Sequence, residues 1–71
     1  MAHSQLRNRL KVLRAERDWT QADLAEVVRV SRKTINTIER GVYAPSAVLA
    51  LRLARVFDVS MEDVFSLIDD T

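Results

Sequence analysis

Apolar residues recur along the chain at the spacing of short helices. The first such segment places Leu6, Leu10 and Leu13 on one helix face, at i, i+4 and i+7. Ser4 precedes this segment and is the expected cap. Asp18 stands where the helix should end, a position that favours a left-handed backbone, which Asp tolerates. Since no segment alternates apolar and polar residues and no hairpin dipeptide occurs, we expect no strand.

Polar capping residues predict four further helices. Thr20 is followed three residues later by Asp23, which is a weaker form of the capping box, and the second helix should begin here. Ser60 and Asp63 repeat this spacing before a short last helix. The remaining boundaries are Ser31 and Gly41 for the third helix, and Pro45-Ser46 and Asp58 for the fourth. The pattern therefore predicts an all-α domain of five short helices.

The second and third predicted helices are only about eight residues long, which is too short for a stable isolated helix. They must pack on each other across a tight turn, and two short helices joined in this way form a helix-turn-helix. Ala25 supplies the small residue that a close crossing needs. The expected apolar contacts are Leu24, Ala25 and Val28 in the second helix, Val30 in the turn, Ile35 and Ile38 in the third, and Trp19 and Leu13 around them.

This segment resembles the helix-turn-helix of the phage repressor/Cro (XRE) family. The resemblance rests on Gln21, Ala25, Val30, Ser31, Ile35, Glu39, Gly41 and Pro45-Ser46 at these spacings, and it extends from about Leu6 to Ile68. It implies a lambda-repressor-like fold in one domain, 1–71, with the helix-turn-helix core at about 20–41 and a dimerisation region at about 46–68. The family usually has Gly where this chain has Arg29, so the turn is either strained by about 1 kcal/mol or shaped differently.

The outer face of the third helix carries side chains that suit base edges. An α-helix fits the major groove, where Arg and Lys pair with guanine and Asn pairs with adenine. We therefore expect base reading by Arg32, Lys33, Asn36 and Thr37. The alternative is a solvated helix face with no ligand.

The start of the second helix is a candidate phosphate site. Gln21 is its first residue, and its backbone N–H and side-chain amide should point out of the helix N-terminus. Thr20 and Ser31 are expected mainly as caps, with a phosphate contact as a second role. The resemblance further implies contacts to the DNA backbone from Arg40 and Tyr43.

The resemblance also implies an architectural ion pair between Arg14 and Glu39. A partly buried pair here would tie the first helix to the reading helix, and removing one partner would cost about 3–5 kcal/mol. The alternative is two exposed charges that contribute little to stability.

The fourth helix is apolar nearly all round, since only Arg52 and Arg55 are polar between Ala47 and Phe57. A surface helix needs an apolar stripe of only about 100°, so some of these side chains are surplus to a small core. The family pattern places Ala47, Ala50, Leu53, Ala54 and Phe57 inside. The expected homodimer interface is the remainder, Val48, Leu51 and Val56, together with Phe65; the alternative is a scatter of exposed aliphatics.

Charge and composition sharpen this interpretation. Residues 1–43 hold nine Lys or Arg and five Asp or Glu (+4), whereas residues 44–71 hold two and five (−3). Such asymmetry suggests a polyanion on one side of the molecule. The chain has no Cys and its single His is His3, so we expect no metal site, no cofactor and no small-molecule ligand. No membrane-spanning run or signal peptide is visible, which indicates the cytoplasm.

These features predict a sequence-specific regulator of transcription that binds double-stranded DNA. We expect a dimeric repressor that reads a palindromic operator with the third helix in the major groove. The alternative is an antitoxin or restriction-modification controller whose fourth helix meets another protein. An enzyme is not expected, because no Ser/His/Asp set occurs and Asp69-Asp70 are adjacent in the tail. Salt-dependent DNA binding would exclude a helical adaptor that does not bind DNA.

Overall fold

A computed structural model describes residues 6–68 of the chain, which form five helices and one pair of short strands. The elements in chain order are β1 (Leu6–Asn8), α1 (Leu10–Glu16), α2 (Gln21–Val28), α3 (Arg32–Glu39), α4 (Ala47–Val56), α5 (Met61–Val64) and β2 (Phe65–Leu67). The helical domain predicted from the sequence is confirmed. No helix within residues 6–68 is long and apolar enough to cross a membrane.

One apolar core joins all five helices. Among the described residues, every fully buried residue is apolar, and the Arg14 and Glu39 side chains, 13% and 7% exposed, lie at the edge of this core. The core residues are Leu10, Leu13, Leu24, Ala25, Val28, Ile35, Ile38, Leu49, Ala50, Leu53, Ala54, Phe57, Val64 and Phe65. Trp19 and Val30 pack against it as partly buried side chains, as the sequence pattern predicts.

Hydroxyl side chains cap four of the five helices. In each case the hydroxyl oxygen accepts a hydrogen bond from the backbone N–H three residues later, which satisfies one of the free donors of the first turn. The capping residues are Thr20, Ser31, Ser46 and Ser60. At α2 and α5 the carboxylates of Asp23 and Asp63 also accept from the capping residue's N–H, so both predicted capping boxes form.

Four helices end in a residue with a left-handed backbone. The N–H of this residue and the N–H of the next one both donate to carbonyls in the last helical turn, which is the Schellman pattern. The left-handed residues are Asp18, Arg29, Gly41 and Asp58, with φ of 59°, 67°, 77° and 58°. Gly41 therefore closes α3 as predicted, and Arg29 holds the left-handed conformation that a glycine would adopt more easily.

The beginning of the chain differs from the sequence prediction. Residues Leu6–Asn8 form a strand that pairs antiparallel with Phe65–Leu67, so the expectation of no strand is wrong. Helix α1 begins only at Leu10, and the predicted cap Ser4 lies outside the described residues. Three-residue strands are too short to show alternation, and their partners are remote in sequence, so no hairpin signal exists.

Helix α4 faces the core with a slightly different set of residues from the one expected. Ala50, Leu53, Ala54 and Phe57 are buried as predicted. Ala47 is exposed, because it is the first residue of the helix and lies at its solvent end. Leu49 takes its place, since it lies one turn before Leu53 on the same face.

Candidate nucleic-acid interface

Helix α3 is anchored by its inner face and presents its outer face to solvent. Ile35 and Ile38 are 0% and 2% exposed. Arg32 and Lys33 are the first two residues of the helix and are exposed, and neither forms an ion pair or side-chain hydrogen bond within residues 6–68. Two cationic side chains therefore project from the start of a rigidly held helix.

The other two predicted base-reading residues lie in more constrained positions. Asn36 and Thr37 are half-buried, one turn after the two cations. The Asn36 side-chain amide donates to Oε1 of Gln21 at 3.3 Å. The Thr37 hydroxyl donates to the backbone carbonyl of Thr34 at 3.0 Å. Both side chains have intramolecular partners, and part of each remains accessible.

Gln21 departs from the expected orientation. Its side-chain amide does not point out of the N-terminus of α2; it bonds to α3, donating from Nε2 to Oε1 of Glu39 at 3.0 Å and accepting from Asn36. The cause is the crossing of α2 and α3, which brings the first turn of α2 beside the last turns of α3. The backbone N–H of Gln21 is still one of the donors that lack an intrahelical partner, so its contact with a phosphate remains a prediction.

Arg14 and Glu39 form the ion pair that the family resemblance implies. Nε of Arg14 lies 2.6 Å from Oε2 of Glu39, and Nη2 lies 3.0 Å from Oε1, which makes the contact bidentate. The two side chains are 13% and 7% exposed. Arg14 also donates from Nη1 to the carbonyl of Trp19 at 2.9 Å. The pair therefore links α1 to α3 and to the segment before α2.

The pair determines the charge states of both groups. Burial by itself raises the pKa of the Glu39 carboxyl, but hydrogen bonds from Arg14 and Gln21 and the charges of Arg14 and Lys11 outweigh it, so the pKa lies below its ordinary value. The hydrogen bond to Glu39 raises the pKa of Arg14, against the effect of burial. Glu39 is thus a carboxylate and Arg14 a cation at neutral pH.

The remaining predicted phosphate contacts surround α3. Thr20 and Ser31 both serve as helix caps, as described above, and the Ser31 hydroxyl also shares a hydrogen bond with the Thr34 hydroxyl at 3.0 Å. Arg40 follows α3 directly and is exposed, and Tyr43 is 48% exposed in the loop after it. Gly41 turns the chain between these two residues with a φ of +77°. Their roles in binding DNA stay predictions.

Asn8 supports α3 from the far end of the chain, and it is not among the residues predicted from the sequence. Its side-chain amide donates to the carbonyl of Ile38 at 3.0 Å, and its Oδ1 accepts from the N–H of Leu10 at 3.1 Å. The bond with Leu10 could have been predicted from the sequence, because an Asn side chain often bonds the backbone N–H two residues later. The first bond joins residues 30 positions apart and leaves no local trace.

The surface expected to form the dimer interface is only partly apolar and exposed. Val48 and Leu51 are 60% and 58% exposed, and together with Met61 they line a groove of about 660 Å³ between α4 and α5, here called the α4–α5 groove. Val56 is half-buried against the core. Phe65 is a correction: it belongs to β2 and is buried, because strand pairing turns its ring inward.

Comparisons with known proteins agree with this geometry. The family model described as helix-turn-helix (HTH_3) matches residues 10–64. An uncharacterised HTH-type transcriptional regulator of Methanocaldococcus jannaschii is 48% identical over 65 residues, which cover 92% of this chain and 98% of that protein.

Two solved structures extend the comparison. The structure of SinR, a master regulator for biofilm formation, in complex with DNA has 31% identity and a TM-score of 0.69, covering 76% of this chain and 87% of that chain. The restriction-modification controller C.AhdI of Aeromonas hydrophila has 30% identity and a TM-score of 0.70, covering 76% and 82%.

Proposed function

The chain belongs to the helix-turn-helix family HTH_3 of DNA-binding transcriptional regulators, and we propose that it acts as a homodimeric repressor. In this proposal each copy places α3 in the major groove, and the two copies read a palindromic operator. Its place of action is the compartment that holds the DNA, the cytoplasm.

The observation that carries the proposal is the exposed pair Arg32 and Lys33 at the start of α3. Both side chains are free of partners within residues 6–68, while the inner isoleucines hold the helix rigidly. Cationic donors at the N-terminal end of a helix can enter the major groove and pair with guanine O6 and N7. SinR, which has the same fold, was solved bound to DNA.

A second copy is needed for useful specificity. One reading helix covers too few base pairs to distinguish an operator from the competing sites of a genome. Two-fold pairing places two such helices about 34 Å apart, in successive turns of the major groove. The exposed Val48 and Leu51 of the α4–α5 groove offer an apolar surface for that contact.

Selection of bound sites from a pool of random duplexes tests the proposal directly. A palindrome should emerge from the selection. The logarithm of the protein's affinity for it should fall linearly with the logarithm of the salt concentration, with a slope of about −0.9 per phosphate contact. Lys33→Ala should lose about 1–3 kcal/mol on the selected site and relax the preference at one or two base pairs, whereas Arg40→Ala should weaken all duplexes about equally. Uniform losses from both variants would show that α3 is not the reading helix.

A restriction-modification controller is the second candidate function, favoured by the likeness to C.AhdI. Both candidates bind DNA, so the neighbouring genes distinguish them. A controller should bind upstream of an adjacent methyltransferase or endonuclease gene, and footprinting on that region is the test.

A further inference from the structure

Gln21 lies in the middle of a series of hydrogen bonds that starts at the nearly buried Arg14 and ends at Asn36 on the outer side of α3. The Arg14 guanidinium donates to the Glu39 carboxylate, and the Gln21 amide donates to the same carboxylate at 3.0 Å. The Asn36 amide in turn donates to Oε1 of Gln21 at 3.3 Å. The first members are nearly buried, and the last is half-exposed on the outer side of α3.

The negative charge of Glu39 determines which group donates and which accepts in each of these hydrogen bonds. A carboxylate only accepts hydrogen bonds, so Gln21 must turn its NH₂ group toward Glu39 and its Oε1 toward Asn36. Asn36 must then turn its own NH₂ group toward that oxygen. Reversing either amide would oppose two acceptors or two donors in a partly buried site, which is costly.

The groups left over on Asn36 match one base. One hydrogen of its Nδ2 is used by Gln21, so a second hydrogen and Oδ1 remain. The major-groove edge of adenine offers an acceptor at N7 and a donor at N6, and it binds Asn through one donor and one acceptor. A free asparagine would sample both amide orientations, and only one of them meets adenine correctly.

We propose that Gln21 is a positioning residue, which holds the Asn36 amide in the orientation that reads adenine. The inference rests on the proposed function, because it requires α3 to read bases. It assigns the side chain of Gln21 to α3 rather than to a phosphate, and it makes specificity at one base pair depend on a residue that does not contact that pair.

The test measures the affinity of the full chain for duplexes that carry each of the four base pairs at every position of the selected site. Three variants are compared with the wild type: Asn36→Ala, Gln21→Met and, as a control, Lys33→Ala. Methionine keeps the length of Gln21 and removes both polar atoms. Circular dichroism and thermal melting establish that each variant is folded.

The expected result is a shared loss at a single position. Asn36→Ala should abolish a preference for adenine of about 5- to 150-fold, the range for a bidentate contact. Gln21→Met should reduce the same preference at least threefold and leave the others unchanged, while Lys33→Ala should affect a different position. In the free protein, Gln21→Met should also shift the side-chain amide resonances of Asn36, a readout that does not depend on DNA.

Two results would overturn the inference alone. In one, Gln21→Met weakens all duplexes equally and leaves the adenine preference intact, which would make Gln21 a phosphate ligand. In the other, Asn36→Ala changes no base preference. A wild type with no base preference anywhere would overturn the proposed function as well, so the two failures are distinguishable.

Discussion

Arg29 adopts a backbone conformation that its side chain disfavours. Its φ of 67° and ψ of 46° lie in the left-handed region, where a residue with a Cβ loses about 1 kcal/mol or more. The turn between α2 and α3 thus keeps the usual left-handed geometry, and of the two alternatives that the sequence left open, the strained turn is the one observed.

Relief of this strain should stabilise the domain. Arg29→Gly is expected to raise the free energy of unfolding by about 1 kcal/mol, which corresponds to about 4–8 °C in Tm for a domain of this size. Thermal melting followed by circular dichroism measures the change. Arg29→Ala is the control, since it removes the same side chain without removing Cβ. Equal melting temperatures for the two variants would argue against strain at this position.

Glu39 makes the stability of the domain depend on pH. Its carboxylate is 7% exposed and is held by Arg14 and Gln21. Glu39→Gln should lower the free energy of unfolding by about 3 kcal/mol at neutral pH, because it leaves Arg14 partly buried without its counter-charge. Urea denaturation gives the difference. Glu26→Gln, an exposed change on α2, should have little effect.

The sign of the pH effect follows from the lowered pKa of Glu39. Its carboxyl takes up a proton at a higher pH in the unfolded chain than in the folded one, so stability rises with pH across that interval. The contribution of the pair is complete above the ordinary value of 4.5 and is lost as the pH falls through the folded-state pKa. The gap in urea midpoint between wild type and Glu39→Gln should therefore narrow from pH 7 to pH 3. A constant gap would exclude the ion pair as its source.

Among the elements, those defined by local chemistry were predictable and those defined by distant pairing were not. The capping hydroxyls act within three residues, so the sequence locates the starts of α2 to α5. The β1–β2 pair joins Leu6 to Leu67, and such remote pairing has no local signature.

In the candidate site, too, features that depend on local sequence were predictable, and features that depend on helix packing were not. The 3.6-residue period separates the exposed Arg32 and Lys33 from the buried Ile35 and Ile38, and this separation was predicted. The inward turn of Gln21 depends on how α2 crosses α3, which periodicity does not encode.

Arg17 ties the end of α1 to the end of α4. Its guanidinium donates to the carbonyls of Val56 and Phe57 at 2.8 and 3.1 Å, and its Cζ lies 5.5 Å from the ring centre of Trp19 and 5.2 Å from that of Phe57. The carbonyls at a helix end lack intrahelical donors, so a cation there satisfies them and opposes the helix dipole. The sequence shows only a charged residue in a basic segment.

Removal of the Arg17 contacts should weaken the packing between the end of α1 and the end of α4 and so destabilise the domain. Arg17→Ala is expected to lower the free energy of unfolding by about 1–2 kcal/mol, from two hydrogen bonds and two exposed cation–π contacts. Chemical denaturation measures the loss. Arg17→Lys keeps the charge but lacks the planar guanidinium group. Its free energy of unfolding should therefore lie between those of the wild type and Arg17→Ala. Wild-type stability in Arg17→Ala would show that solvent replaces the contact at no cost.

At the scale of the whole molecule, the fold separates the candidate reading surface from the candidate dimer surface. Helix α3 packs chiefly on α2, and α5 packs on α4. Along the sequence, residues 1–43 carry a net charge of +4 and residues 44–71 a net charge of −3. The described acidic residues of the second half, Asp58, Glu62 and Asp63, lie in or beside α5, which packs on α4, and acidic groups at that position favour the orientation proposed for the complex.

A dimer built on the α4–α5 groove should be broken by charge. A two-fold contact brings the same residues of both copies together, so Val48→Glu with Leu51→Glu would place like charges across the axis. Both side chains are exposed, at 60% and 58%, so the double variant should remain folded. We expect a monomer with weak affinity for the palindrome, measured by sedimentation velocity and DNA titration. Val12→Glu, an exposed change on α1 outside the groove, should leave the assembly intact. A wild type that sediments as a monomer at micromolar concentration, yet binds a palindrome tightly and without cooperativity, would contradict the dimer.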